Sequence, residues 1–236
     1  MAEEARKSPK FSWDYDVPNT PFWNSLDYRL SRNFLQCYTE AEIAQFDLDE
    51  TLSVDDKIEC LRTLLENTLA EKGTKVSPKS LHDADYEAWR SLKLGISTMD
   101  HFLGNQAEEA ATVKEMYENG PEGTKNMSAL HNLSAVMEAA GNYSEAERMA
   151  LEVLPWLEGH EKLGPGSPQA LSSMKCLARS TWKQEKFDDA NQWIEKCRLQ
   201  LKQMAEGQFS KYHESEAGML ENDLDALKKW KEEQGK

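Results

Sequence analysis

Apolar residues recur at intervals of three and four over most of the chain after residue 80. This spacing places them on one face of an α-helix, and no convincing alternation of apolar and polar residues indicates strands. The sequence therefore predicts an all-α fold. After a linker rich in glycine, proline and serine at residues 72–80, the predicted helices cover residues 86–103, 107–119, 126–140, 144–159, 168–184, 187–207 and 209–234.

An acidic pair of helices with its linker is predicted over residues 36–80. Ser53 is placed to cap the longer helix, and Gly73 is expected to end it. A shorter helix is expected over residues 39–45. Residues 39–72 hold ten Asp or Glu and three Lys or Arg, so this acidic face is either solvated or a docking site for a basic peptide.

An extended aromatic strap is predicted over residues 1–35. Pro18 and Pro21 disfavour a helix there, and seven of the 21 aromatic residues of the chain lie between positions 11 and 34. So many aromatic side chains favour docking, either on the body of the same chain or on another protein, a second copy in a homodimer included. The strap residues expected to make these contacts are Trp13, Tyr15, Phe22 and Trp23.

Two segments superimpose at an offset of 44 residues, NLSAVMEAAGNYSEAE and CLARSTWKQEKFDDAN. Leu133 pairs with Leu177, and Ala146 pairs with Ala190. Small residues at such positions let two antiparallel helices approach closely. We therefore predict repeated helical hairpins within residues 81–207 and a helix over residues 208–236 that caps their end.

The repeat resembles the tetratricopeptide repeat. The loop GHEKLGPGSPQALSSM is similar to that of the longer variant in kinesin light chains and in the tails of fungal NACHT receptors. Residues 130–134, 141–147 and 163–168 carry the motif, whereas the second unit has Glu185 at the turn glycine and Cys176 in place of Asn. The resemblance covers residues 86–207, with a weak first unit before residue 126.

The resemblance implies a right-handed solenoid whose first helices line a concave groove for a peptide or helix of a partner protein. Such a scaffold for protein-protein interaction needs no catalytic residue and no cofactor. Counting along each unit directs seven side chains toward the groove: His131, Asn132, Glu138, Lys175, Arg179, Trp182 and Lys183.

Three of these residues, Lys175, Arg179 and Lys183, recur every four positions and form what we call the basic stripe. Beside Trp182, the stripe favours a partner segment that combines a carboxylate with a large apolar side chain. The alternative is a solvated helix face that Glu185 neutralises locally.

Charge and composition disfavour nucleic-acid-binding and membrane proteins. The 236 residues include 28 Lys or Arg and 42 Asp or Glu, a net charge of −14, which disfavours nucleic acid and anionic membranes as partners. No run approaches the roughly 20 apolar residues of a membrane span. The first ten residues lack the apolar core of a signal peptide, so a cytoplasmic location is expected.

The sequence contains few motifs that indicate catalysis, metal binding or cofactor binding. The five histidines show no metal-ligand spacing, no phosphate-binding glycine motif is present, and the four cysteines are expected to be reduced and buried. We therefore predict no metal and no cofactor, and assign no catalytic residue. An all-helical enzyme or small-molecule carrier, its pocket closed by the aromatic strap, is the alternative function.

Overall fold

The computed structural model describes residues 15–234, and every regular element in that range is helical. The first seven helices are α1 (Pro21–Asn24), α2 (Tyr28–Leu35), α3 (Glu40–Ile43), α4 (Val54–Lys75), α5 (Leu81–Ala84), α6 (Tyr86–Leu103) and α7 (Gln106–Glu118). After a turn at Pro121–Gly123 follow α8 (Met127–Ala139), α9 (Tyr143–Gly159), α10 (Pro168–Lys183) and α11 (Phe187–Glu206), then a 3-10 turn at Ser210–Tyr212 and α12 (His213–Gln234). The all-α prediction is confirmed.

The chain divides into two compact units, residues 1–124 and residues 125–236. The division falls inside the segment 81–207 that the sequence assigns to repeats. The weak first unit of the resemblance, α6 with α7, lies in the first compact unit, and the two strong units lie in the second. None of the helices among residues 15–234 has the length and apolarity that a membrane span requires.

The second compact unit is built from two helical hairpins and the final helix. Helices α8 and α9 form the first hairpin, α10 and α11 form the second, and α10 also packs against α8, α9 and α12. Ala146 and Ala190, the small residues that the repeat pairs, are fully buried at the hairpin crossings. A methyl group at each position lets the helices approach closely, as the repeat predicts.

The first compact unit is organised around α6, which packs against α2, α4, α5 and α7. Gly95 on α6 allows the close approach of α4. A Cβ atom at this position would lie 2.9 Å from Cδ1 of Leu65 and 3.5 Å from the carbonyl oxygen of Asn33. The core of this unit therefore depends on a glycine that helix propensity alone would disfavour.

The prediction of an extended strap over residues 1–35 is wrong for α1 and α2. Pro21 begins α1, where its fixed φ suits the first turn and its missing N–H has no helical partner in any case. The Asp27 carboxylate caps α2 by accepting from the backbone N–H of Arg29. Proline therefore begins a helix here and does not exclude one.

The prediction for α4 is right at its start and wrong at its end. The Ser53 hydroxyl accepts from the backbone N–H of Asp56, as expected for the cap. Gly73 does not end the helix, which continues to Lys75. An interior glycine costs about 1 kcal/mol relative to alanine, which the packing of a long helix can offset.

The turns that close α8 and α10 share one backbone geometry but differ in one residue. Gly141 has φ +78° and Glu185 has φ +61°, so both occupy the left-handed region, where a side chain is disfavoured. We expect Glu185→Gly to raise the free energy of unfolding by about 0.5–1 kcal/mol and Gly141→Ala to lower it by about 1 kcal/mol. Urea unfolding followed by circular dichroism measures both changes.

Glu185→Ala is the matched control, because it removes the carboxylate and keeps a Cβ atom in the strained conformation. It should bring no gain in stability. An equal gain from Glu185→Ala and Glu185→Gly would mean that the charge of Glu185, and not its backbone conformation, costs the stability.

Candidate functional site

Helix α10 carries the predicted basic stripe and lies between α8 and α12. Its side chains reach both neighbours. Two of the three stripe cations are engaged in ion pairs with carboxylates of these helices, and the third is not paired with any carboxylate in residues 15–234. The stripe thus has two paired positions and one open end.

Lys175 is buried, with 5% of its surface exposed. Its Nζ donates to Oε2 of Glu216 on α12 at 2.8 Å, and Glu216 is buried as well. A buried pair of this kind stabilises only while both partners are present, because either charge alone would be left without compensation.

Arg179 joins three helices through one guanidinium group. Its Nη2 donates to Oε2 of Glu138 on α8 at 2.7 Å while its Nε donates to the other carboxylate oxygen, and its Nη1 donates to Oδ2 of Asp223 on α12 at 2.6 Å. Burial disfavours the charged guanidinium, but these hydrogen bonds and the charges of Glu138 and Asp223 hold the pKa of Arg179 above its usual value.

His131 on α8 forms a hydrogen bond between its Nδ1 and Oγ of Ser173 on α10, at 2.9 Å. Burial lowers the pKa of His131 to about 4, so the ring is neutral at pH 7. Asn132, the next residue, is half-buried. His131 therefore contributes to the packing of α8 on α10.

Lys183 marks the open end of the stripe. Its Nζ lies 4.4 Å from the ring centroid of Trp230 on α12. Trp182 packs edge-on against Phe187 of α11, with ring centroids 5.2 Å apart, and the Nζ of Lys231 lies 4.1 Å from the Phe187 ring centroid. We call these five residues the aromatic–lysine cluster.

The cluster combines two lysines with three aromatic rings. Lys231 is exposed, and Lys183, Trp182 and Trp230 are half-buried. The indole N–H of Trp182 is buried and finds no acceptor in residues 15–234. Because this N–H is covered, the donors that a ligand carboxylate or carbonyl oxygen could reach are the ammonium groups of Lys183 and Lys231.

Sequence reasoning found Trp182 and Lys183 but missed the residues of α12. Glu216, Asp223 and Trp230 are spaced seven residues apart, which places them on one face of that helix. This face meets Lys175, Arg179 and Lys183 in the same order along the chain. The seven-residue spacing is the signal that could have identified them.

Three of the four strap residues, Tyr15, Phe22 and Trp23, lie in the first compact unit. Phe22 and Trp23 are buried, and the Trp23 ring packs on Phe34 with centroids 5.7 Å apart. Tyr15 contacts Tyr28 through its backbone, its N–H donating to the phenol oxygen at 2.9 Å. Trp13 lies outside the residues that the structure describes.

Within residues 15–234 no three His, Cys, Asp or Glu side chains are close enough to hold a metal ion. Burial raises the pKa of the Cys176 thiol, the cysteine beside the stripe, to about 12. It therefore carries almost no thiolate at pH 7.

The buried pair Lys175–Glu216 should show strong coupling in a double-mutant cycle. Lys175→Met or Glu216→Leu alone leaves a buried charge unpaired and should cost about 3 kcal/mol, whereas the double variant should regain most of that loss. Urea unfolding of the four proteins gives the coupling energy. The exposed pair Arg198–Glu195 is the control, with an expected coupling below about 0.5 kcal/mol; additive effects at Lys175 and Glu216 would contradict the buried pair.

The depressed pKa of His131 makes stability depend on pH. The unfolded chain takes up a proton near pH 6.5 and the folded chain only near pH 4. Stability from this group is complete above pH 6.5 and is lost as the pH falls toward 4, by about 1–2 kcal/mol at pH 5. The test compares urea unfolding at pH 7.5 and pH 5 for the native chain and His131→Gln, which does not titrate; equal losses in both proteins would exclude His131 as the cause.

A family model described as tetratricopeptide repeat matches residues 127–155. These residues form α8 and most of α9, the hairpin that holds His131 and Glu138. No curated protein and no solved structure is similar enough to match the chain. The match supports the tetratricopeptide-like reading of the repeat and, since such repeats generally bind proteins, a protein partner in general.

Proposed function

We propose that this chain is a non-catalytic protein-interaction module that binds a peptide segment at the aromatic–lysine cluster. The expected segment carries Asp or Glu beside a large apolar side chain. One observation carries the proposal: Lys183 is the stripe cation that has no carboxylate oxygen of residues 15–234 within ion-pair distance, although Glu138 and Glu233 act on it from further away, and it lies beside aromatic rings.

The ion pairs of the other two stripe cations favour the Lys183 end of the stripe as the contact for a ligand. Lys175 and Arg179 are engaged with Glu216, Glu138 and Asp223, so a ligand would have to displace these carboxylates to reach them. Lys183 and Lys231 need no such exchange. A ligand carboxylate can therefore pair with these lysines without breaking an ion pair within the chain.

The chemistry of the cluster supports an acidic and apolar ligand. Burial lowers the pKa of Lys183, and a ligand carboxylate would favour its charged form. A large apolar side chain would pack on the rings of Trp182 and Trp230, next to the charge-assisted hydrogen bonds.

We also propose that the two strong units are of the kinesin-light-chain and NACHT-tail type. The spacing of 44 residues and the loop at residues 160–167 between α9 and α10 support this subtype. A scaffolding role, a cytoplasmic location and a homodimer stay predictions from the sequence.

The experiment measures fluorescence anisotropy with three labelled 12-residue peptides that share one tryptophan and differ in having three Asp, three Asn or three Lys. The acidic peptide should bind best, with a Kd around micromolar because the contact area is small. Lys183→Glu should weaken it at least about tenfold, by loss of a charge-assisted contact and gain of repulsion.

Lys202→Glu is the matched control, because Lys202 is an exposed lysine of α11 outside the cluster and the charge change is identical. It should leave the affinity nearly unchanged. Preference for the lysine peptide, or equal weakening by both variants, would contradict the proposed site. Circular dichroism and melting curves establish that both variants are folded.

A further inference from the structure

The side chain of His82 on α5 lies between two hydrogen-bond acceptors in the first compact unit. Its Nδ1 lies 3.0 Å from Oδ1 of Asp83, and its Nε2 lies 3.2 Å from the backbone carbonyl oxygen of Asn119. Asn119 is the C-cap residue of α7. One imidazole ring therefore joins α5 to the C-terminal end of α7, and 24% of this side chain is exposed.

Both partners of His82 can only accept a hydrogen bond. The pKa of the Asp83 carboxyl is lowered, first by its hydrogen bond with His82 and then by that with Ser80, so it is ionised near neutral pH. A backbone carbonyl has no proton to donate. A neutral imidazole has one donor and one acceptor nitrogen, whereas an imidazolium donates from both. Only the protonated ring therefore satisfies the two contacts at once.

The end of α7 favours a cation at this position. The last carbonyl groups of a helix have no intrahelical donor and carry a partial negative charge. The last turn of α7 holds no basic residue of its own. The positive charge of a protonated His82 is thus supplied from α5 to the end of α7.

The other charged groups near His82 largely balance each other. Within residues 15–234, the cleft of about 470 Å³ beside the ring is lined by three other ionisable side chains, those of Asp83, Lys93 and Glu115. Lys93 on α6 pairs with Glu115 on α7 at 2.7 Å. Lys79, in the linker before α5, acts on the Asp83 carboxyl through its charge alone.

The remaining neighbours of the ring are aromatic or apolar. The rings of Tyr86 and Trp89 on α6 stand nearly perpendicular to the imidazole, with centroids 5.4 Å and 4.9 Å away. Leu69 is the residue that α4 contributes to the cleft. Asp83 and the carbonyl of Asn119 are therefore the groups that respond directly to the proton on His82.

We propose that His82 is a proton-dependent latch that holds α5 on the C-terminal end of α7. The protonated ring donates to Asp83 and Asn119, and loss of a proton leaves a ring lone pair facing one of these two oxygens. Of the four residues of α5, Leu81 is buried, so the helix has little other packing to hold it in place.

The direction of the pH dependence follows from these contacts. The latch is complete at low pH, where the ring is protonated, and it is lost as the pH rises and the ring becomes neutral. Histidine is the side chain that ordinarily changes its charge between pH 5 and 8. The latch therefore responds to pH changes in the physiological range, and its release opens the cleft beside Trp89.

The test measures amide hydrogen exchange at pH 5.5 and pH 8 in the full chain labelled with ¹⁵N. The N–H groups of Ala84 and Asp85 report on α5, because they donate to the carbonyls of Ser80 and Leu81. Their protection, relative to an unstructured peptide at the same pH, should fall at least about fivefold, because a hydrogen bond from a charged group is lost. The midpoint of this fall should coincide with the titration of the His82 ring nitrogens.

A change in protection below about twofold, or a midpoint that differs from the titration of His82, would overturn the proposal. His82→Gln, which does not titrate, should give low protection at both pH values. His101→Gln is the matched control, because His101 is the other histidine of residues 15–124 and has one ring nitrogen 3.1 Å from Glu109. It should keep the full change; loss of the change in both variants would also overturn the latch.

Asp83→Asn tests the partner of the ring while His82 stays in place. It keeps the size of the side chain and removes the charge that favours the imidazolium, so the fall in protection should shrink at least about twofold. Asp47→Asn, at an exposed position of the same compact unit, makes the same charge change and should leave the fall unaltered. An undiminished fall in Asp83→Asn would contradict the latch.

This inference is independent of the proposed function. The latch lies in the first compact unit and the aromatic–lysine cluster lies in the second. Peptide affinity at the cluster and amide protection of α5 are separate measurements, so failure of one proposal leaves the other standing.

Discussion

The guanidinium of Arg179 is the group on which the packing of α8, α10 and α12 depends. It forms hydrogen bonds with Glu138 on α8 and Asp223 on α12 while lying on α10 between them. One cation thus neutralises two carboxylates that lie on different helices. Without it, both carboxylates would remain beside each other in a poorly hydrated environment, a cost of several kcal/mol. The planar group also fixes direction, because two parallel hydrogen bonds to Glu138 define an orientation as well as a distance.

This arrangement determines which side chains are left for a ligand. The neighbours of α10 contribute carboxylates opposite Lys175 and Arg179 but an aromatic ring opposite Lys183. The first two cations therefore stabilise the packing of the helices. The third, Lys183, forms no ion pair within residues 15–234 and can still attract an anion. The position of Trp230 on α12 thus separates the paired part of the stripe from the part that we propose for binding.

Helical periodicity predicted the elements well because each helix buries one continuous stripe, and such a stripe is a local property of the sequence. The bounds of α6 agree with the predicted range, and those of α10 differ from it by one residue. The ends of elements were predicted less well, as at Gly73, where α4 continues to Lys75 although helix propensity disfavours an interior glycine. The same holds for Pro21, whose restricted φ is compatible both with an extended segment and with a first helical turn.

The sequence predicted the candidate site residues of α10 but not the residues of α12 that pack against them. Spacing within α10 places Lys175, Arg179 and Lys183 on one face, but it contains no information about what packs against that face. The partners Glu216 and Asp223 lie about 40 residues further along the chain. Only the docking of α12 brings them to the stripe. A polar stripe read from sequence is therefore as consistent with a buried interface between helices as with a binding site.

Net charge does not decide between acidic and basic ligands in this protein. At physiological salt the Debye length is about 8 Å, whereas the 16 residues of α10 extend over about 24 Å. A ligand at Lys183 is therefore screened from most of the carboxylates that give the chain its charge of −14. The long-range field acts on the rate of encounter, which it slows for acidic segments and raises for basic ones. The contacts at the surface then determine which ligand stays bound, so an acidic chain can still hold exposed cations such as Lys231 at one surface.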